Sequence, residues 1–151
     1  MPNPAKGLKG KVTIPATYKD LPVYRIGNNA FENNTLVTHV FVGKGSKLRV
    51  IGEWAFANSQ VKFFEFTDQL RRIEYRAFMQ ASRLEPDSTN SYIFGSNLYY
   101  LGGYAFNQAL NFNGKAVTIM LPATLKTMGY FALSNFAYPT VNSSVMIGQP
   151  G

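Results

Sequence analysis

Five times along the chain a short run places apolar residues on one side and a single different residue between them. The runs are Val12-Thr13-Ile14-Pro15, Val40-Phe41-Val42-Gly43, Phe64-Glu65-Phe66-Thr67, Tyr92-Ile93-Phe94-Gly95 and Ile119-Met120-Leu121-Pro122. An alternation of period two predicts strands whose first and third residues face a core and whose second residue faces out. Pro15, Gly43, Gly95 and Pro122 then stop the strand. A second extended piece follows each run: Val23-Tyr24-Arg25, Leu48-Arg49-Val50, Leu70-Arg71-Arg72, Leu98-Tyr99-Tyr100 and Leu125-Lys126-Thr127.

Each second piece leads into one hexapeptide. Its copies are Ile26-Gly27-Asn28-Asn29-Ala30-Phe31, Ile51-Gly52-Glu53-Trp54-Ala55-Phe56, Ile73-Glu74-Tyr75-Arg76-Ala77-Phe78, Leu101-Gly102-Gly103-Tyr104-Ala105-Phe106 and Met128-Gly129-Tyr130-Phe131-Ala132-Leu133, with alanines 25, 22, 28 and 27 residues apart. Five copies at this period predict a leucine-rich-repeat solenoid of about five repeats: an α/β-type or mainly β, right-handed coil with a parallel sheet of short strands and little regular helix. Position by position, the opening Ile, Leu or Met should face the core. The Gly should allow a backbone bend at φ values other residues resist. The Ala should let coils pack closely, and the Phe should form a ladder between repeats. Residues 1–151 read as one domain, with the repeat core at about 8–148.

The pattern resembles the BspA-like leucine-rich repeats of bacterial and protozoan surface proteins, in which a strand ends in Ile-Pro and is followed by Ile-Gly, two variable residues and Ala-Phe. Val12 to Thr17, Leu21 to Gly27 and Ala30-Phe31 carry the resemblance most closely. It implies adhesion or protein binding and supplies no catalytic residue. Glu74 in place of Gly, Leu133 in place of Phe and an insertion from Leu84 to Tyr92 depart from the pattern. Val145 to Gly148 reads as a sixth strand with no hexapeptide after it. An uncapped strand there should favour self-association or a neighbouring chain at the C-terminal edge.

Composition narrows the chemistry. There are no cysteines and one histidine, His39, which leaves no disulfide, no thiolate zinc site and no Ser-His-Asp or His-rich metal arrangement within the chain. The eight carboxylates are scattered; Glu85 and Asp87 are close in sequence, inside the insertion. No phosphate loop is present. The reading is a non-enzymatic chain without cofactor or metal. Met1 to Gly7 lacks the apolar stretch of a signal peptide, and no run approaches the ~18 apolar residues of a membrane helix. Extracellular or cell-surface display, or delivery as part of a virion or other assembly, is the expected setting.

Two surfaces are candidates for binding. Stacking the strands in register would align Thr13, Phe41, Glu65, Ile93 and Met120, beside Lys11, His39, Phe63, Ser91 and Thr118. Of these, Thr13, His39, Phe41, Phe63, Glu65, Ile93 and Met120 form the expected protein-binding sheet face, because exposed apolar side chains mark interaction surfaces. The second surface is a stripe of Tyr24, Arg49, Arg71, Arg72, Tyr99 and Lys126. With a net charge of +7, it suits a glycan or an anionic polymer.

Overall fold

The computed structural model describes residues 5–135 and the backbone of a strand at 144–147. It is a parallel β-solenoid, and no helix occurs among the described residues. The strands are β1 Gly10–Ile14, β2 Thr17–Tyr18, β3 Leu21–Pro22, β4 Arg25–Ile26, β5 Val37–Val42, β6 Val50–Ile51, β7 Phe63–Phe64, β8 Arg72–Ile73, β9 Ser91–Ile93, β10 Tyr100–Leu101, β11 Thr118–Leu121, β12 Thr127–Met128 and β13 Ser144–Ile147.

Each repeat contributes one strand to each of two sides. The second extended pieces form one continuous parallel sheet in the order β12-β10-β8-β6-β4, pairing Arg25 with Val50, Val50 with Arg72, Arg72 with Tyr100 and Tyr100 with Thr127. The alternating runs do not form one sheet. They form two, β1-β5-β7 and β13-β11-β9, and the break falls at the insertion. The expectation of a single sheet face is corrected at that point. The sixth predicted strand is present as β13, paired in register with β11 from Thr118–Ser144 to Leu121–Ile147. What lies beyond its outer edge is outside the described residues. A two-residue turn with Lys19 and Asp20 at φ 48° and 62° closes an antiparallel hairpin, β2–β3, that the repeat pattern did not predict.

The hexapeptide forms the third side, and its geometry explains its letters. Positions four and eight of every copy lie in the left-handed region: Asn29, Trp54, Arg76, Tyr104 and Phe131 at φ 55–59°, then Asn33, Asn58, Gln80, Gln108 and Asn135 at φ 54–59°. This alternation turns every second N–H along the solenoid axis. Asn29, Trp54, Arg76 and Tyr104 donate to the third-position carbonyl of the next coil at 2.9–3.1 Å. Phe31, Phe56, Phe78 and Phe106 donate to the next fifth-position carbonyl at 2.6–2.8 Å. Left-handed backbone costs a bulky residue on the order of 1 kcal/mol or more. It persists because each coil's hydrogen bonds impose it, so it is a feature of the repeat rather than of one site.

The second-position glycines therefore have a different role from the one expected. None of Gly27, Gly52, Gly102 and Gly129 has positive φ. Instead, a Cβ on Gly102 would lie 2.5 Å from the Tyr75 nitrogen, and one on Gly129 would lie 2.3 Å from the Gly103 nitrogen. Close approach of successive coils excludes a side chain there. Gly27, in the first coil, has nothing within 4 Å and carries no such constraint.

Phe31, Phe56, Phe78 and Phe106 stack at centroid distances of 4.8, 5.0 and 5.0 Å with planes within 7°. Phe64, Phe66 and Phe94 meet this ladder from the opposite side. Ile26, Ile51, Ile73 and Leu101 are buried beside it, as are Ala55, Ala77, Ala105 and Ala132. Two end positions depart from the expectation. Ala30 in the first coil is half-buried, and Met128 in the last is 51% exposed.

Candidate functional site

The register of the first side follows the predicted columns within each sheet. Lys11 pairs with His39 and His39 with Phe63; Thr13 pairs with Phe41; Ser91 pairs with Thr118 and Ile93 with Met120. The structure thus brings together Thr13, His39, Phe41, Phe63 and Glu65 in one group, and Ile93 and Met120 in another. Thr13 is exposed, as are Phe63 at 37% and Ile93 at 52%; His39, Phe41, Glu65 and Met120 are half-buried. The expectation of one exposed face in unbroken columns narrows to this.

Within the first group, three rings lie side by side. Phe41 and Phe63 are 5.4 Å apart, and His39 lies 6.4 Å from Phe41 and 6.2 Å from Phe63. The His39 ring nitrogen Nδ1 sits 2.9 Å from the Thr38 hydroxyl, which orients the imidazole over the sheet. Glu65 is committed to the fold. Its Oε2 accepts a hydrogen bond from the Val42 backbone N–H at 2.7 Å, where β7 is too short to provide a carbonyl partner.

The insertion is ordered by its own polar contacts. Asp87 Oδ1 accepts from the Thr89 N–H, the Thr89 hydroxyl and the Ser91 N–H at 2.7–2.9 Å. Partial burial would raise this carboxyl, but the bonds from Thr89 and Ser91 outweigh it and hold the group below its ordinary range. Leu84 bridges to Leu110 on the next coil. The Tyr92 hydroxyl reaches the carbonyls of Leu84 and Asn111 at 2.7 and 2.8 Å, and burial pushes its pKa upward. Ser91, expected on the outward column, is buried by this loop.

Between the two sheets the loop leaves a cleft of about 210 Å³ lined by Phe63, Glu65, Glu85, Asp87, Tyr92 and Ile93 among others. Sites for whole small molecules run to roughly 300–1,000 Å³. This cleft suits one side chain of a partner. It was not legible beforehand, since it exists only where two strands fail to pair.

The residues of the expected basic and aromatic stripe lie along the continuous second sheet. Arg49 donates its backbone N–H to Tyr24, Arg71 to Arg49, Tyr99 to Arg71 and Lys126 to Tyr99, so these five residues occupy equivalent places on five coils. The Arg49 guanidinium lies 5.3 Å over the Tyr24 ring, and that of Arg72 lies 3.9 Å over Tyr100. Arg72 also donates to Glu74 at 2.8 Å, which raises its pKa further.

Beside the stripe runs a row that the motif reading passed over. Positions three and four of the hexapeptide hold Trp54, Tyr75, Arg76, Tyr104, Tyr130 and Phe131. The Arg76 guanidinium sits 4.6 Å from the Trp54 ring, 4.8 Å from Tyr75 and 5.1 Å from Tyr104. Tyr104 in turn packs on Tyr130 at 5.2 Å and Phe131 at 5.3 Å. The signal was present: positions that vary in identity are nonetheless aromatic in four of five copies.

Among the described residues no three His, Cys, Asp or Glu side chains are grouped to hold a metal. A coil of regular backbone ladders with polar turns and two extended lateral surfaces defines a repeat scaffold of the leucine-rich-repeat class. The chain belongs to the BspA type leucine rich repeat family, whose model matches six copies over residues 11–85 and 85–147. A solved leucine rich repeat protein of T. pallidum is similar, at TM-score 0.68 and 26% identity. The match covers 81% of this chain and 52% of that one, so the chain spans about half the length of its structural relative. No curated protein matches the chain. Repeat scaffolds of this class serve protein interaction, and no helix among the described residues is long and apolar enough to cross a membrane.

Proposed function

We propose that the chain is a non-enzymatic, surface-displayed binding module whose protein partner docks on the first side, over His39, Phe41 and Phe63 and into the adjoining cleft. The carrying observation is the ring cluster: three aromatic side chains converge on an outward face beside an exposed Ile93 and a side-chain-sized cleft. Aromatic anchors at a desolvated centre carry most of the energy of a protein interface. Nothing in the repeat needs apolar residues outside the coil, because its core is already complete with the inward members of the same strands.

The test is a titration of an identified protein partner against wild type, Phe63→Ser and Arg71→Ala/Arg72→Ala, each at two salt concentrations. The expected result is loss of binding with Phe63→Ser, retention with the arginine variant, and little change with salt. Binding that survives Phe63→Ser and collapses in salt would move the protein interface to the other side.

A further inference from the structure

The second side carries a separate site. We propose that the stripe along β4, β6, β8, β10 and β12 binds an acidic polysaccharide, sulfated or uronate-bearing, laid along the solenoid axis.

The first ground is charge placement. Arg49, Arg71 and Lys126 are exposed on equivalent places of the second, third and fifth coils, and none of them pairs with a carboxylate among the described residues. With strands about 4.8 Å apart, the three cations span about 14 Å in one line. Glu74, bound by Arg72, is the one carboxylate ion-paired into the stripe among the described residues. A line of unneutralised cations, one and then two strand spacings apart, matches a linear polymer bearing several anionic groups better than a single anion.

The second ground is rigidity. Arg49 lies over Tyr24 and Arg72 over Tyr99 and Tyr100. The ring contact restrains the Arg49 guanidinium, whose N–H groups can fork onto a sulfate or carboxylate. Less side-chain entropy is then lost on binding.

The third ground separates polysaccharide from single-stranded nucleic acid. Nucleic acid would need open ring faces on which bases stack. Here the rings of Tyr24, Tyr99, Tyr100, Trp54, Tyr75 and Tyr104 are already approached by guanidinium groups of the same chain. A sugar polymer needs only the charged edge.

The experiment measures binding of size-defined heparin at 50 and 200 mM salt. It compares wild type, Arg49→Ala/Arg71→Ala/Lys126→Ala, and a control of equal charge loss away from the stripe, Lys9→Ala/Lys11→Ala/Lys44→Ala. Three released counterions weaken wild-type binding roughly 20- to 40-fold between the two salts. The stripe variant should lose about tenfold or more at the lower salt while the control keeps most of the affinity. Equal losses in both variants would mean diffuse attraction to net charge and would overturn the site, as would no binding of heparin at 50 mM salt. An oligothymidine of matched charge should bind more weakly than heparin; equal or tighter binding would overturn the assignment to polysaccharide. All six substituted residues lie at the surface or half-exposed, and circular dichroism spectra checked against wild type keep a folding defect distinguishable from a binding defect.

Discussion

The hexapeptide side and the strand side of this solenoid tolerate variation very differently. On the hexapeptide side, all five copies repeat the same left-handed fourth position, and the first four repeat the same N–H to carbonyl bond and the same phenylalanine. On the strand side, an insertion parts two sheets, one strand shrinks to Phe63–Phe64, and a glutamate takes the place of a backbone partner. The hexapeptide side is closed by backbone groups that only the neighbouring coil can satisfy, so its geometry cannot drift. The side of the alternating runs can open, because side chains and a loop can replace ladder bonds. The proposed protein-docking surface draws on that freedom: the cleft lies where the ladder is broken, and the ring cluster lies on the paired strands beside it.

Phe78→Ala tests the rigid side hardest. The ring is fully buried between Phe56 and Phe106, and its removal should cost about 3–5 kcal/mol in denaturant unfolding. A loss under about 1 kcal/mol would mean that the ladder is not the main source of coil cohesion. Gly102→Ala comes next: a Cβ 2.5 Å from the Tyr75 nitrogen should destabilise by about 1–3 kcal/mol. The same change at Gly27, which has open space, should stay within about 0.5 kcal/mol. Equal effects at both positions would contradict the close-approach account.

On the open side, Tyr92→Phe should lower stability by about 1–3 kcal/mol, since it leaves buried carbonyls of Leu84 and Asn111 without that donor. Hydrogen exchange should show the loosening confined to the insertion. Phe63→Ser should change stability least, within about 0.5 kcal/mol, while abolishing partner binding. A large stability loss there would recast Phe63 as core. The insertion should also respond to acid. Asp87 has its carboxyl held below the ordinary value, so its contribution is complete above that value and is lost as pH falls through the lowered one. Amide exchange at Thr89 and Ser91 that stays constant from pH 6 to below 3, after correction for intrinsic rates, would remove Asp87 as the organiser of the loop.

Much of this was legible from residues alone, and for a stated reason. A recurring Ile-Gly-x-x-Ala-Phe specifies a coil that stacks on copies of itself, so the ladder, the buried alanines and the registers Thr13–Phe41 and Ile93–Met120 follow from spacing. The stripe of Tyr24, Arg49, Arg71, Tyr99 and Lys126 was legible for the same reason, since residues at equal offsets from a repeat must align. The role of the second-position glycine was misread, because one residue type answers two different demands and only coordinates distinguish close approach from unusual φ. The Trp54–Arg76–Tyr104 row went unread because a search for identity passes over positions that keep only aromatic character.

By itself, then, the order of residues determined the solenoid, its parallel strands and which side chains line up along each side, since these depend on local period and on repetition. It did not determine where the first sheet divides, that Ser91 is buried while Phe63 stays open, or which rings meet which guanidinium groups. Those outcomes depend on how the loop at 84–92 packs between two coils, through Tyr92 reaching Leu84 and Asn111. Contacts between residues that share no repeat position have no signature in the period, and only the assembled coil decides them.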